Sequence, residues 1–308
     1  MDKLLVYLPA ILIFGILFTT LAVLGLIRRH IRLKFLRPSF KNNLPRTPSG
    51  SLLRQLDILN EQIILYQLGT IALPLIIYSA LVSCSYFMAT KPSEPVLLIS
   101  TITGTAIIAY FILTLVRLLN RRQSIRLDYE GELAVGQELN QLMLHGYRVY
   151  HNFPADTYNI DHIVVGSKGV FAVETMTDSN GTAPDKDPEP TVNYDGRMLT
   201  YADKSDFETI EQAEQQADWL SKWLGATTGE PIAVRAIVAL PGWVVKRTSA
   251  DGIPVVNPAQ FAALFEHIKP RPLSETMLDR IMDELEQKSC NFKTPPSQNG
   301  RLSRSHPF

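Results

Sequence analysis

Cysteine is scarce in this chain: there are two, Cys84 and Cys290, in 308 residues. They lie far apart in unlike surroundings, which excludes a disulfide framework and any closely spaced zinc site. A reducing compartment fits. Net charge is also missing, because 30 Lys and Arg balance 30 Asp and Glu. The balance hides a split. Residues 1–126 hold 14 basic against 4 acidic residues, residues 127–269 hold 10 against 21, and residues 270–308 hold 6 against 5. Acid is scarce in the first part and base in the middle. A domain that grips nucleic acid over a wide surface carries a basic footprint, and the middle segment has none in its total.

Apolar runs are plentiful. Leu4–Ile27 carries no charge and reaches the roughly 20 residues that cross about 30 Å of hydrocarbon. It is too long for a signal-peptide core and lacks a small-residue cleavage site. A second run covers about Ile63–Thr90 and a third about Val96–Leu119, with no charge before Arg117. Such runs are hard to bury in a water-soluble fold, so three transmembrane helices are predicted within residues 1–126. After the first run come Arg28, Arg29, Arg32, Lys34, Arg37, Lys41, Arg46 and Arg54. The second link has only Lys91, and Arg121, Arg122 and Arg126 follow the third run. The positive-inside rule then sets the N-terminus outside and everything after Asn120 in the cytoplasm, as in a multi-pass protein of the inner (cytoplasmic) membrane. The basic loop also suits anionic lipid. Pro74 is expected to bend the second span, and Cys84 reads as a packing residue. The lack of intramembrane charge before Arg117 argues against a transporter.

From about Leu127 the pattern turns to mixed periodicity. A helix is expected over Gly131–His145, with Leu133, Val135, Leu139, Leu142 and Met143 on its apolar side and Gly146 as its cap. Tyr147–Phe153 alternates as a strand. A Pro-, Asp- and Gly-rich loop covers Asp178–Pro190, and a small hairpin turns at Asp195-Gly196. A long helix is expected at Phe207–Leu224, a buried strand at Ala233–Leu240 and a short one at Pro254–Val256. Asn257 caps a helix that has Pro258 at its first position. Leu273–Gln287 reads as a last amphipathic helix, and the composition from Ser289 reads as a disordered tail. The outcome is one layered α/β domain with a mixed sheet over residues 127–269, then a C-terminal helix and tail over residues 270–308.

The densest chemistry lies between Asp161 and Met176. Two apolar strands flank Gly166-Ser167-Lys168-Gly169. With Ser167 and Lys168 as a two-residue loop, antiparallel register sets Asp161 opposite Glu174, and alternation puts Met176 on the face of Glu174. Two facing carboxylates with a further position two residues on is the layout of a metal-dependent phosphodiesterase. In such sites that further position is usually lysine; here it is methionine, a poor magnesium ligand with no charge. Lys168 sits at the far end of both strands and reads as a solvated turn residue, while Lys186 and Lys204 could reach in from loops. His162 points away from the acids and reads as structural. Trp219 and Trp223, four apart, read as core, and Trp243 as core or the lining of a groove.

Together these segments resemble the nuclease-related domain (NERD) family. The resemblance rests on Gly131-Glu132, Ile160-Asp-His-Ile-Val-Val165, Gly169-Val-Phe-Ala-Val-Glu-Thr175, Tyr194-Asp-Gly-Arg197, Gln212, Gln216 and Pro241-Gly-Trp243. It covers about residues 128–268. It implies a restriction-endonuclease-like fold, frequent membrane tethering and Mg²⁺- or Mn²⁺-dependent cleavage of nucleic acid phosphodiesters, DNA or RNA. Under it, Asp161 and Glu174 are metal ligands, Glu132 is a third acid from the first helix, and Gln212 and Gln216 support the site from the later helix. The alternative is a non-catalytic module at the membrane that binds nucleic acid, a nucleotide or a protein. A scaffold whose spans are the active part is a third class.

Overall fold

A computed structural model describes residues 50–87, 94–177 and 190–291. The first apolar run, the loop from 178 to 189 and the tail from 292 lie outside the described residues. The chain divides into two compact units between Arg126 and Leu127.

In the first unit, helix α1 is Gly50–Phe87, and helix α2 begins at Glu94 and ends at Gln141. The two run antiparallel. The Arg122 guanidinium donates to Asn60 Oδ1 at 2.6 Å, Tyr66 packs on Phe111 with ring centroids 5.4 Å apart, and Ile77 lies against Gly104. Gly69 fixes the closest approach, since a Cβ there would lie 2.3 Å from the Phe111 ring. Pro74 lies inside α1. Among the described residues one helix, Ile102–His145, is long and apolar enough to cross a membrane. By that measure the second predicted span does not qualify on its own.

The helix expected to start at Gly131 is instead the end of α2. No Gly or Pro interrupts residues 118–130, so nothing stops the helix. It closes through a short 3₁₀ turn, Leu142–His145, on Gly146 at φ 82°, in the left-handed conformation that suits glycine.

The second unit is built on a five-stranded mixed sheet in the order β1-β2-β3-β7-β9. Its strands are β1 Arg148–Pro154, β2 Asn159–Gly166, β3 Gly169–Thr175, β7 Val234–Ala239 and β9 Val255–Val256. The first three pair antiparallel, and β3, β7 and β9 pair parallel. Helix α3, Glu208–Thr228, and helix α5, Glu275–Asn291, cover one face. The end of α2 and helix α4, Phe261–His267, cover the other. Alternation sorts the side chains: Ile163, Val165, Ala172 and Val238 face α3 and α5, while Val164, Phe171, Val173 and Ile237 face α2 and α4.

A second sheet, β6-β5-β4-β8, uses Ser205–Asp206, Leu199–Thr200, Thr191–Tyr194 and Val244–Arg247. Its turn is held by Asp195, whose Oδ1 accepts from the backbone N–H groups of Arg197 and Met198 at 2.9 and 2.8 Å. Asn257 caps the turn before α4 with a full capping box.

The hairpin register is the expected one. Gly166 pairs with Gly169 and His162 with Val173, so one more step sets Asp161 against Glu174. Lys168 differs from expectation. It is half-buried and bonded: its Nζ donates to the carbonyls of Phe265 and Glu266 at 2.8 and 2.6 Å, satisfying the last turn of α4.

The face opposite the acids carries a histidine pair. His162 is fully buried, and its Nδ1 lies 2.7 Å from His151 Nδ1. His151 Nε2 lies 3.1 Å from Asn140 Oδ1. With Asn140 accepting, His151 holds its proton on Nε2 and accepts from His162 Nδ1–H. His162 Nε2 is then a bare buried acceptor, and it has no partner. Burial pushes His151 down to about 4 and, with the nearby His151, holds His162 well below the usual range. The fold therefore favours neutral imidazoles, whereas the unfolded chain takes up protons near 6.5. Stability should be full above that pH and fall as pH drops through 6.5 towards 4 and below. Urea midpoints measured across pH 4–7 should show this slope, and His151→Phe/His162→Leu should flatten it.

Candidate functional site

The acids sit where apolar strands end. Asp161 is the third residue of β2 and Glu174 the last but one of β3. Each is only 6% exposed, so each charge needs partners. Asp161 Oδ2 accepts from the Thr175 backbone N–H at 3.0 Å, a bond that ties the two strands together at the site. Glu174 is held from α3: Gln212 Nε2 donates to Oε1 and Gln216 Nε2 to Oε2, both at 2.7 Å. One helical turn separates the two glutamines, which lets one carboxylate take an amide on each oxygen. Gln216 is 3% exposed, and its Oε1 is a buried acceptor without a partner.

The structure thus brings Asp161, Glu174, Gln212 and Gln216 together. Glu132 is also 6% exposed. Its neighbour Gly131 packs on Thr177 and Pro241, just beyond the ends of β3 and β7. Val135 and Leu139 of the same helix pack on the face opposite the acids. Among the described residues no three His, Cys, Asp or Glu side chains gather to hold a metal ion.

Met176 is 3% exposed and belongs to the apolar core beside Tyr201 and Trp243. Its backbone N–H donates to Ala239 O at 2.9 Å, continuing the β3–β7 pairing. Of the loop lysines, Lys186 lies outside the described residues, and Lys204 Nζ rests 5.3 Å from the Tyr201 ring centroid. Trp243 is 8% exposed and packs edge-on against Tyr201 at 4.9 Å, so it lines no open groove. Trp219 and Trp223 are only half-buried.

Two residues of the β1–β2 turn border the site without having stood out in the sequence. Asp156 Oδ2 accepts from Trp219 Nε1 at 3.0 Å. Tyr158 packs on Trp219 at 6.3 Å, and its phenol is raised by burial, then by the charges of Asp156, Glu174 and Asp218. The one signal for them was the position of Trp219, three residues beyond Gln216 on the same side of α3.

Hard oxygen donors suit a magnesium-sized ion, which takes one or two protein carboxylates and fills its other positions with water and phosphate. Asp161, Glu174 and the orphan Oε1 of Gln216 fit that chemistry, with the carboxylates as the charged ligands.

The family model for the nuclease-related domain matches residues 127–241. Those residues are similar to a nuclease-related domain, and the mixed α/β architecture with two sheets fits a restriction-endonuclease-like fold. No curated protein and no solved structure matches the chain.

Replacing Gln216 with leucine removes the amide that donates to buried Glu174 Oε2, which should cost about 1–3 kcal/mol. Changing both partners, Glu174→Leu/Gln216→Leu, should recover most of that loss. Urea unfolding of the three proteins checks both statements.

Proposed function

We propose that this is a membrane-anchored, nuclease-related protein whose Asp161/Glu174 site takes a nucleic acid phosphodiester together with Mg²⁺ or Mn²⁺. The observation that carries the reading is the buried acid pair at adjacent strand ends, with Glu174 gripped on both oxygens by Gln212 and Gln216. That grip prevents the carboxylate from swinging, as a metal ligand requires. A bound divalent ion would polarise the phosphate and acidify a water. Asp161 and Glu174 would hold the ion, and Gln216 and Gln212 would fix the orientation of Glu174. With methionine at the usual lysine position, just after β3, no fixed cation from that position steadies the developing charge, so turnover is slow.

Membrane anchoring by three spans, with the N-terminus outside and the α/β domain in the cytoplasm, is part of the same proposal. It is supported by apolar side chains on α1 and α2, such as Leu65, Leu68, Ile76, Leu98, Ile99 and Ile102, which are 59–67% exposed. A water-soluble surface rarely shows so much contiguous apolar area. The partners are the lipid bilayer and DNA or RNA. Burial of Met176 in the core favours one second reading, in which the site binds nucleic acid, a nucleotide or a protein without turnover.

The test uses the full chain in detergent. Mn²⁺ is titrated by calorimetry, and cleavage of single- and double-stranded DNA and RNA is followed for wild type, Asp161→Ala and Met176→Lys. Metal binding and slow cleavage should both disappear in Asp161→Ala, and Met176→Lys should raise the rate by about a hundredfold. Metal binding without wild-type cleavage, with activity gained in Met176→Lys, would select the binding reading. Absence of metal binding in every form would remove the nuclease reading.

A further inference from the structure

Beside the acid pair lies a group of residues that the site as described leaves unused. Trp219 and Trp223 sit one turn apart on α3 with their indoles parallel, 3° between planes and 6.2 Å between centroids. Phe153 packs on Trp223 at 5.5 Å and Tyr158 on Trp219 at 6.3 Å. Over them, from α5, comes the Lys288 ammonium, 4.6 Å from the Trp219 ring, 4.7 Å from Trp223 and 5.9 Å from Phe153. Among the described residues this ammonium makes no ion pair and no hydrogen bond. The one charge that acts on it is Asp156 of the β1–β2 turn, the residue that also accepts from Trp219 Nε1.

We infer that Trp219, Trp223 and Lys288 form a subsite for an unpaired nucleotide of a single-stranded nucleic acid, next to the phosphate held at Asp161 and Glu174. The inference rests on the proposed function above and names its substrate class. Three features carry it. The first is continuity: Gln212, Gln216, Trp219 and Trp223 form one stripe on α3, so a strand leaving the acids along the helix passes from the glutamines to the indoles. Tyr158 joins the two parts, packing on Trp219 while its phenol feels the charge of Glu174.

The second is chemistry. Half-buried indoles present π-faces, and a basic group beside aromatic rings is how single strands are held without sequence readout. The indole spacing of 6.2 Å is close to two base steps of about 3.4 Å each. The third is the state of Lys288. A cation over an exposed ring is weakly held, and both stacking of a base on indole and a phosphate contact are stronger. Lys288 therefore gives up the ring faces to a base and turns its donors to the adjoining phosphate. A paired base has no face to offer, so duplex is excluded from this stripe.

The experiment uses the full chain in detergent with EDTA present, so that binding is read apart from cleavage. A fluorescein-labelled oligothymidylate of about twelve nucleotides and a duplex of equal length are titrated, following anisotropy and tryptophan emission. Two of the chain's three tryptophans lie in the stripe, so the single strand should change the emission and bind tighter than duplex. Trp219→Ala should weaken single-strand binding by about tenfold. Lys288→Gln should weaken it by about fivefold and reduce the slope of log K against log salt by about 0.7, the value for one phosphate on a single strand. Lys288→Arg should restore both, and Lys288, on the surface of α5, can change without loss of the fold. Unchanged affinity and salt slope in Lys288→Gln and Trp219→Ala would overturn the inference whatever the cleavage assay gives, and equal affinity for duplex would overturn the single-strand assignment. Binding through the stripe with no metal-dependent cleavage that Asp161→Ala abolishes would uphold the subsite and remove the nuclease reading.

Discussion

A buried negative charge organises the α/β domain. Glu174 is the last residue but one of a strand whose seven residues are all buried, in a sheet covered on both faces. A carboxylate there is tolerated only with its oxygens bonded, and the donors come from α3. That requirement fixes the rotation of α3 about its axis. Once Gln212 and Gln216 point at Glu174, Ala213, Ala217, Leu220 and Leu224 must face the sheet, and they do. The indoles of Trp219 and Trp223 then fall towards β1 and its turn. Polar satisfaction and hydrophobic packing choose the same orientation, and this agreement marks a well-determined core.

Asp161 depends on a different device. Its bond from the Thr175 amide uses backbone rather than a side chain, so that bond is specified by strand register. Register in turn is set by the two-residue turn, where Gly169 takes φ 117°, a conformation that other residues rarely adopt. A shift by one residue would send Asp161 to the histidine face and destroy the acid pair. The apolar alternation of both strands resists that shift along their whole length.

Features encoded locally were legible in the sequence. The hairpin register, the Asp195-Gly196 turn, the Asn257-Pro258 cap and the Gly146 stop each depend on a few neighbouring residues, and each appears where the pattern placed it. What escaped depends on distant partners. The start of a helix at Gly131 rested on a glycine and an acid, but without a stop signal upstream α2 simply continues. Lys168 looked solvated because the carbonyls it bonds lie almost a hundred residues later. Strand β8 has no apolar alternation of its own and exists because β4 pairs with it. For the site, the two acids and two glutamines are close in space as their spacing suggested. Glu132 is buried as a site acid would be, on a helix that covers the opposite face, and Lys288 gave no sign at all.

The core does not stop where sequence similarity does. The matched segment ends at residue 241, yet Met277, Ile281 and Leu285 of α5 are buried in the same cluster as Ile163, Leu220 and Val238. Val255 supplies the edge strand and Phe261 and Phe265 close the other face. The recognisable unit is therefore smaller than the cooperative one. A fragment cut from this chain at its similarity boundary would leave β7 with an unpaired edge and both faces of the sheet partly bare, the surfaces that drive aggregation.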